Sequence, residues 1–295
     1  MKKLIILIFL ISNFCGAQDT LKVIEMNRSF SLGTKNAFVI EIPQPVLKKA
    51  QSNWKSYLKK QSKRSLTDKS GEVTLAKGPL LLLGVDSISV FSTMNQMETK
   101  VKLCVFFMMS DSTFLSSEID SEKSIAANKF VRTFAVNEYK NAVKDELAEE
   151  QNKLMTLEKK VDALEEENED FRKEIKDNER AISRKKDEIK SNEQEQDMKS
   201  TSILEQKKRL NEYVGTDEQR VQEEKQLKSL NKEKSKLQDN KDSMLKKIDD
   251  LEGKNRAIEK KIDTNKDEKI PDAKNLVDQQ KSVVKKVESK MNNIQ

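Results

Sequence analysis

The chain of 295 residues contains 56 Lys and Arg, 50 Asp and Glu, and no His. The charges are concentrated in the C-terminal part, where 80 of the 175 residues from 121 onwards are ionised. The last 120 residues therefore hold too little apolar bulk to offset chain entropy, which excludes a second compact core there.

The first residues have the pattern of a secretory signal peptide. Two lysines precede an unbroken apolar run over 4–11, and the small residues Cys15 and Ala17 stand third and first before a cut preceding Gln18. We expect cleavage after Ala17, which removes residues 1–17 and delivers the protein to the periplasm or the cell surface. Lipidation of Cys15 is the alternative. No later stretch reaches the ~18 apolar residues of a membrane span, so no transmembrane segment is expected.

Residues 18–120 are predicted to form a small α+β globular domain. A helix over 46–64 places Leu47, Ala50, Trp54 and Leu58 on one side, where they would pack on a sheet. Because there are too few helices to cover a parallel sheet, an antiparallel sheet with a packed helix is expected. The predicted strands cover residues 36–42, 88–94 and 99–109, with weaker candidates at 21–26, 72–76 and 80–85.

Two blocks of this domain resemble known sequences. The segment Asn-Ala-Phe-Val-Ile-Glu-Ile-Pro at 36–43 and the segment Trp-Lys-Ser-Tyr-Leu-Lys-Lys at 54–60 follow a signal peptide that ends in Gly-Ala-Gln. In these features the chain is similar to uncharacterised exported proteins of Bacteroidota. The resemblance covers about forty residues and implies export but no activity.

The predicted helix 46–64 is strongly basic. No acidic residue lies between Glu41 and Asp68, and the segment also contains Trp54 and Tyr57. Such a basic amphipathic helix is typical of binding to an anionic glycan or lipid of the envelope, and export argues against a nucleic-acid partner. The alternative is the solvated face of a surface helix whose Trp belongs to the core. The seven cations are Lys48, Lys49, Lys55, Lys59, Lys60, Lys63 and Arg64.

The second part of the chain is predicted to be a long all-α coiled coil. No proline occurs between residues 80 and 270, and apolar residues recur every seven positions. We expect a first long helix over 121–214, packed on the sheet through Phe130, Phe134 and Tyr139. The predicted seam of this helix contains Leu147, Leu154, Val161, Asn168, Ile175, Ile182 and Ile189.

A returning helix is predicted over 215–270. Residues 191–201 have almost no apolar seam, and Thr216 to Gln219 have the spacing of a capping box, so a chain reversal is expected within 191–217. An antiparallel hairpin is favoured, because residues 141–180 carry net negative charge and 221–290 net positive charge. The seam of the second helix contains Leu230, Leu237, Met244, Leu251 and Ile258.

The alternative to the hairpin is a parallel homodimer that runs straight through. In that arrangement Asn168 and Asn255 would each pair with its own copy and fix the register. In both arrangements Pro271 is expected to end the long helix. A short closing helix over 271–295 would follow, with Leu276, Val283, Val287 and Ile294 on its apolar side.

No catalytic constellation is present in the sequence. There is no His, and Cys104, the one cysteine left after cleavage, lies in a predicted core strand, so no cofactor and no metal ion are expected. The segment 263–267 begins like a calcium loop but lacks its Gly and its final Glu. The sequence therefore favours a non-enzymatic exported protein that uses a coiled coil for spacing, self-association or docking of a protein partner.

Overall fold

The computed structural model describes residues 21–80 and 85–294. The predicted signal peptide with its cleavage after Ala17, the alternative lipidation at Cys15, and most of the weak strand 80–85 lie outside these residues. The strands are β1 (Ile24–Phe30), β2 (Gly33–Pro43), β3 (Leu66–Lys69), β4 (Glu72–Leu80), β5 (Val85–Gln96) and β6 (Lys100–Met108). The helices are α1 (Leu47–Ser62), α2 (Ser121–Asn211), α3 (Asp217–Thr264), a π-helix (Asn265–Lys269) and α4 (Ile270–Asn292).

The strands form one six-stranded sheet in the order β1-β2-β6-β5-β4-β3. Every neighbouring pair is antiparallel, which confirms the predicted antiparallel sheet. The strong strand signals at 36–42, 88–94 and 99–109 correspond to β2, β5 and β6. Sequence reasoning missed β3, a short edge strand. It has one apolar residue, Leu66, followed by three exposed polar residues.

One face of the sheet carries the main core. Phe38, Ile40 and Ile42 alternate along β2 and are fully buried beneath the helices. Trp54 of α1 is 1% exposed, and its ring packs edge-on against Phe134 of α2 with centroids 4.8 Å apart. The helix start at Ser121 and the packing of its aromatic residues against the sheet are therefore as predicted.

The other face of the sheet carries a smaller apolar cluster. Phe106 is fully buried there, and the ring of Phe30 stacks on it with centroids 4.0 Å apart. The turn after Phe30 reaches β4, where the Ser31 hydroxyl donates to Glu72 Oε1 at 2.6 Å. The β1–β2 hairpin thus folds over this face and covers part of it with its own residues.

The chain divides into two units, one that runs to Leu154 and resumes at Gln280, and another from Met155 to Gln279. The first unit contains the sheet and also the end of α4, because Val284, Val287 and Ile294 are buried in the main core. Among the residues that the structure describes, no helix has both the length and the apolar character of a membrane span.

In the second unit, α2 and α3 are joined by polar contacts between side chains. Gln206 of α2 contacts Glu223 of α3, and Lys199 pairs with Glu233 at 2.6 Å. Asn178 donates to Asn255 Oδ1 at 2.7 Å. From one contact to the next, the residue in α2 lies earlier in the chain and its partner in α3 lies later.

The break between α2 and α3 covers residues 212–216, inside the interval predicted for it. Thr216 and Gln219 form the predicted capping box at the start of α3. The polar segment 191–201, however, remains helical throughout. Its seam positions are occupied by polar side chains that find partners, since Gln196 donates to Asn192 at 2.7 Å.

The end of the long helix differs from the prediction. Pro271 does not end it: a five-residue π-helix, Asn265–Lys269, precedes the proline and α4 continues to Asn292. The predicted apolar side of the closing helix is also wrong in part, because Leu276 is 44% exposed whereas Val277 is 6% exposed. In place of Leu276 and Val283, the buried residues are the next ones along the chain, Val277 and Val284, whereas Val287 and Ile294 are buried as predicted.

The buried hydrogen bond of the only Trp provides a test of the core. Trp54 Nε1 donates to Ser92 Oγ at 2.7 Å, and that hydroxyl donates to the carbonyl of Val73 at 3.2 Å. Ser92→Ala leaves the buried indole N–H without an acceptor, and we expect a loss of about 1–3 kcal/mol in the free energy of unfolding. Urea denaturation followed by Trp fluorescence measures it. Ser56→Ala on the exposed side of α1 is the control, and equal losses in both variants would contradict the assignment.

Candidate functional site

The seven cations predicted as an anion-binding set lie on or next to the solvent side of α1. Ala50, Trp54 and Leu58 face the core, and the cations occupy the opposite half of the helix and the residues that follow it. Lys55 is half-buried and the other six are exposed. From Lys48 to Lys63 the helix rises ~22 Å, so the charges form an elongated row.

Two of these cations are neutralised within the chain and five are not. Lys49 pairs with Asp145 of α2, and Lys55 pairs with Asp68 of β3. Among the described residues, no ion pair involves the remaining five, which are Lys48, Lys59, Lys60, Lys63 and Arg64. Four of the five lie within six residues at the end of α1, where a local excess of positive charge results.

The end of α1 also gives these cations a structural role. The helix ends at Ser62, and Lys63 adopts a left-handed backbone with φ of 53° while its N–H donates to the carbonyl of Lys59. Lys59 and Lys60 lie in the last turn, where positive charge is favourable beside the unpaired carbonyls of the helix terminus. Helix capping accounts for the last-turn lysines, and it does not require Lys48 or Arg64.

The two aromatic residues of α1 belong to the core. Trp54 is almost fully buried, and the Tyr57 hydroxyl donates to the carbonyl of Phe130 at 3.1 Å. Burial raises the pKa of Tyr57 to about 12. Neither ring is therefore free to insert into a membrane, and the cationic side of α1 can act on a ligand only through its charge.

The predicted seam residues lie on the inner sides of the helices. Ile182, Ile189 and Ile248 form one buried cluster that also contacts Met244 and Leu251, so the structure brings both predicted seams together there. The seam residues that are buried are Leu147, Val161, Asn168, Ile182, Ile189 and Ile258. Those that are half-buried are Leu154, Ile175, Leu230, Leu237, Met244 and Leu251.

The amide residues of the seam pair differently from the dimer prediction. Asn168 contacts Asn265 and Asn255 contacts Asn178, so neither needs a second copy of itself. Sequence reasoning did not name Asn265 or Asn178 as seam residues. The signal was present, because Asn265 follows Ile258 by seven residues and Asn178 follows Ile175 by three, the spacing of the second seam position of a heptad.

A groove of about 510 Å³ lies in the first unit, between the start of α1, the β5–β6 turn and α2. Glu138, only 3% exposed, lines it and accepts from Asn53 at 2.8 Å. Asp145 and Glu146 on its rim are paired with Lys49 and Lys290. These pairings neutralise part of its acidic lining.

Cys104 is the one cysteine that the structure describes. Cys104 is 6% exposed, and burial raises the pKa of its thiol, an effect that the charge of Arg28 and a hydrogen bond with Thr93 partly oppose. Within 21–80 and 85–294, no group of three or more His, Cys, Asp and Glu residues could hold a metal ion.

Comparison of the chain with protein-family models, with curated proteins and with solved structures gives no match.

The buried thiol of Cys104 makes a prediction about reactivity. Because the thiolate is the reactive form and burial disfavours it, we expect iodoacetamide at pH 8 to modify Cys104 at least ~10-fold more slowly in the folded protein than in urea. Mass spectrometry of the chain from residue 18 onwards measures this rate. Equal rates in the folded and unfolded protein would show that the thiol is accessible.

Proposed function

We propose that this protein is a non-enzymatic exported structural or interaction protein in which α2 and α3 form an antiparallel coiled-coil hairpin. The coiled coil sets a distance or docks a protein partner, and the α+β domain presents a folded surface. The observation that carries the proposal is the series of side-chain pairs that α2 makes with α3 and with the π-helix that follows it. In this series residue numbers rise on one side as they fall on the other.

The seam supports a hairpin within one chain over a homodimer through the same stripe. A helix as polar as α2 gains little from its own backbone and needs a neighbour to cover its apolar stripe. The buried cluster of Ile182, Ile189 and Ile248 supplies that neighbour from α3. A parallel dimer through this stripe would have to displace α3 first. Self-association, if it occurs, would therefore use the helix faces that point away from the stripe.

The non-enzymatic part of the proposal has its support in the residue types. The sequence has no His, and the thiol of Cys104 lies inside the sheet domain. Apart from Glu138, which lines the groove beside α1, the carboxylates of α2 and α3 lie largely on solvated helix faces, which provide little desolvation to shift a pKa for catalysis. Export remains part of the proposal because of the signal-peptide pattern at residues 1–17.

Cysteine cross-linking tests the hairpin. In a Cys104→Ala background, Asn178→Cys and Asn255→Cys together are expected to form a disulfide within one chain, because the two amide groups are in contact. Non-reducing gels and intact mass would show a monomer without free thiols. The single variant Asn178→Cys is the matched control and should stay monomeric. A disulfide-linked dimer of Asn168→Cys chains would instead support the parallel arrangement.

A second candidate function is binding of an anionic envelope polymer by α1. The five cations without a counter-charge favour it, since an uncompensated row of positive charge attracts a polyanion. A glycan fits better than a lipid bilayer, because Trp54 and Tyr57 are held in the core and the cationic side has no apolar anchor.

Charge removal tests the polymer-binding candidate. We expect Lys59→Gln, Lys60→Gln and Lys63→Gln together to weaken binding to polygalacturonate by about tenfold, since each exposed ion pair contributes up to ~1 kcal/mol. Isothermal titration at ~0.05 M salt measures this, and ~0.3 M salt should weaken the unmodified protein.

The matched control carries Lys22→Gln, Lys129→Gln and Lys140→Gln, three exposed lysines elsewhere in the first unit. It loses the same charge and should bind normally. Equal loss in both variants would mean that only net charge matters. Equally tight binding to phosphatidylglycerol vesicles, lost in the α1 variant alone, would assign the surface to lipid.

A further inference from the structure

The π-helix between α3 and α4 adds one residue to the helix at a defined point. The N–H of Ile270 donates to the carbonyl of Asn265, five residues earlier, instead of the fourth as in an α-helix. A π-turn of this kind holds one residue more than the α-turn that it replaces. The side chains that follow are therefore rotated by about 100° relative to an uninterrupted α-helix.

This extra residue changes the phase of the buried stripe. Before the π-helix, the stripe recurs every seven residues and reaches Asn265, which is 1% exposed. The next position is Ala273, which lies eight residues further on and is 3% exposed. After it the interval of seven returns, at Gln280, Val287 and Ile294.

The phase change keeps polar side chains out of the buried stripe. Without the extra residue the stripe would fall on Asp272, Gln279, Lys286 and Asn293, all of which are exposed in the structure. A proline in the sequence also indicates where the helix geometry changes. In an α-helix the ring of Pro271 would clash with the carbonyl of Asp267, which lies inside the π-turn.

The same turn buries a polar side chain against α2. Asn265 Nδ2 donates to Glu167 Oε2 at 2.8 Å and to Asn168 Oδ1 at 3.1 Å, and Asn168 is itself 4% exposed. The Oδ1 atom of Asn265 is buried with no hydrogen-bond partner among the described residues. A second amide pair, Asn178 with Asn255, lies ten residues away on both helices.

These amides distinguish one alignment from its neighbours. A slip of one heptad would place Ile258 or Ala273 opposite Asn168, and the amide would be buried against an apolar side chain. An unpaired buried amide costs about 1–3 kcal/mol, whereas apolar residues that repeat every seven positions can still meet one another after a slip of one heptad.

We propose that the π-helix and the Asn168–Asn265 pair form a register lock that admits one alignment of α3 and α4 on α2. The lock rests on the coiled-coil hairpin proposed above. It costs stability, as the unpaired Oδ1 of Asn265 indicates, and it provides a unique pairing. Polar residues in a coiled-coil seam can act in this way.

Two reporter pairs in a Cys104→Ala background test the amide part of the lock. Lys199→Cys with Glu233→Cys reports the observed register, and Lys199→Cys with Asn240→Cys reports a slip of one heptad. We expect the slipped pair to cross-link at least ~10-fold more when Asn168→Leu and Asn265→Leu are added, with a melting temperature raised by about 5 °C.

Asn231→Leu is the control at an exposed Asn of α3 and should leave both reporters unchanged. If the Leu pair gives only the observed register, the lock is wrong while the hairpin stands. If Asn178→Cys and Asn255→Cys fail to cross-link within one chain, the hairpin itself is wrong. Circular dichroism confirms that each variant is helical before cross-linking.

A deletion tests the phase argument. Removal of Lys266 together with Pro271→Ala should convert the π-turn to an α-turn and keep both parts of the stripe in phase. We expect a melting temperature within about 3 °C of the unmodified protein. Removal of the exposed Lys247 within α3 deletes the same residue type but breaks the phase, and should lower it by at least ~10 °C. Equal losses would overturn the phase argument.

Discussion

The structure of α2 and α3 depends on the burial of a narrow apolar stripe on helices that are otherwise charged. Of the residues from 121 onwards, nearly half are ionised, so the stripe is the main source of apolar contact that these helices have. Its members meet where Ile182, Ile189 and Ile248 are buried together. The stripe also determines where the helix geometry has to change, because the π-helix preserves its burial beyond Asn265.

Sequence patterns predicted the elements in which apolar residues recur at a regular spacing or form a continuous run. The alternation at 36–42 and the β-rich run at 99–109 correspond to β2 and β6, and the aromatic residues after Ser121 correspond to the start of α2. The short strand β3 has no such pattern. It is defined by its partner β4, which pairs Thr67 with Thr74, and a partner cannot be identified from one leucine and three polar residues.

The remaining differences arise where polar residues occupy positions that the pattern reserves for apolar ones. The segment 191–201 lacks apolar seam residues, and yet it stays helical because Asn192 and Gln196 bond to each other and Lys199 reaches Glu233. The candidate site shows the same limit. The row of cations on α1 was visible in the sequence, but whether Trp54 faces solvent or core was decided by Ser92 and Phe134, which are distant in the chain.

The main core of the sheet domain draws on both ends of the described chain. Leu21 and Val23 are buried in the same cluster as Val287 and Ile294, so residues from the beginning and from the end complete one hydrophobic interior. In a nascent polypeptide this interior stays incomplete until Val287 and Ile294 have been made. Contacts of such long sequence separation slow folding. Completion of the sheet domain therefore waits for α4 and not only for its own six strands.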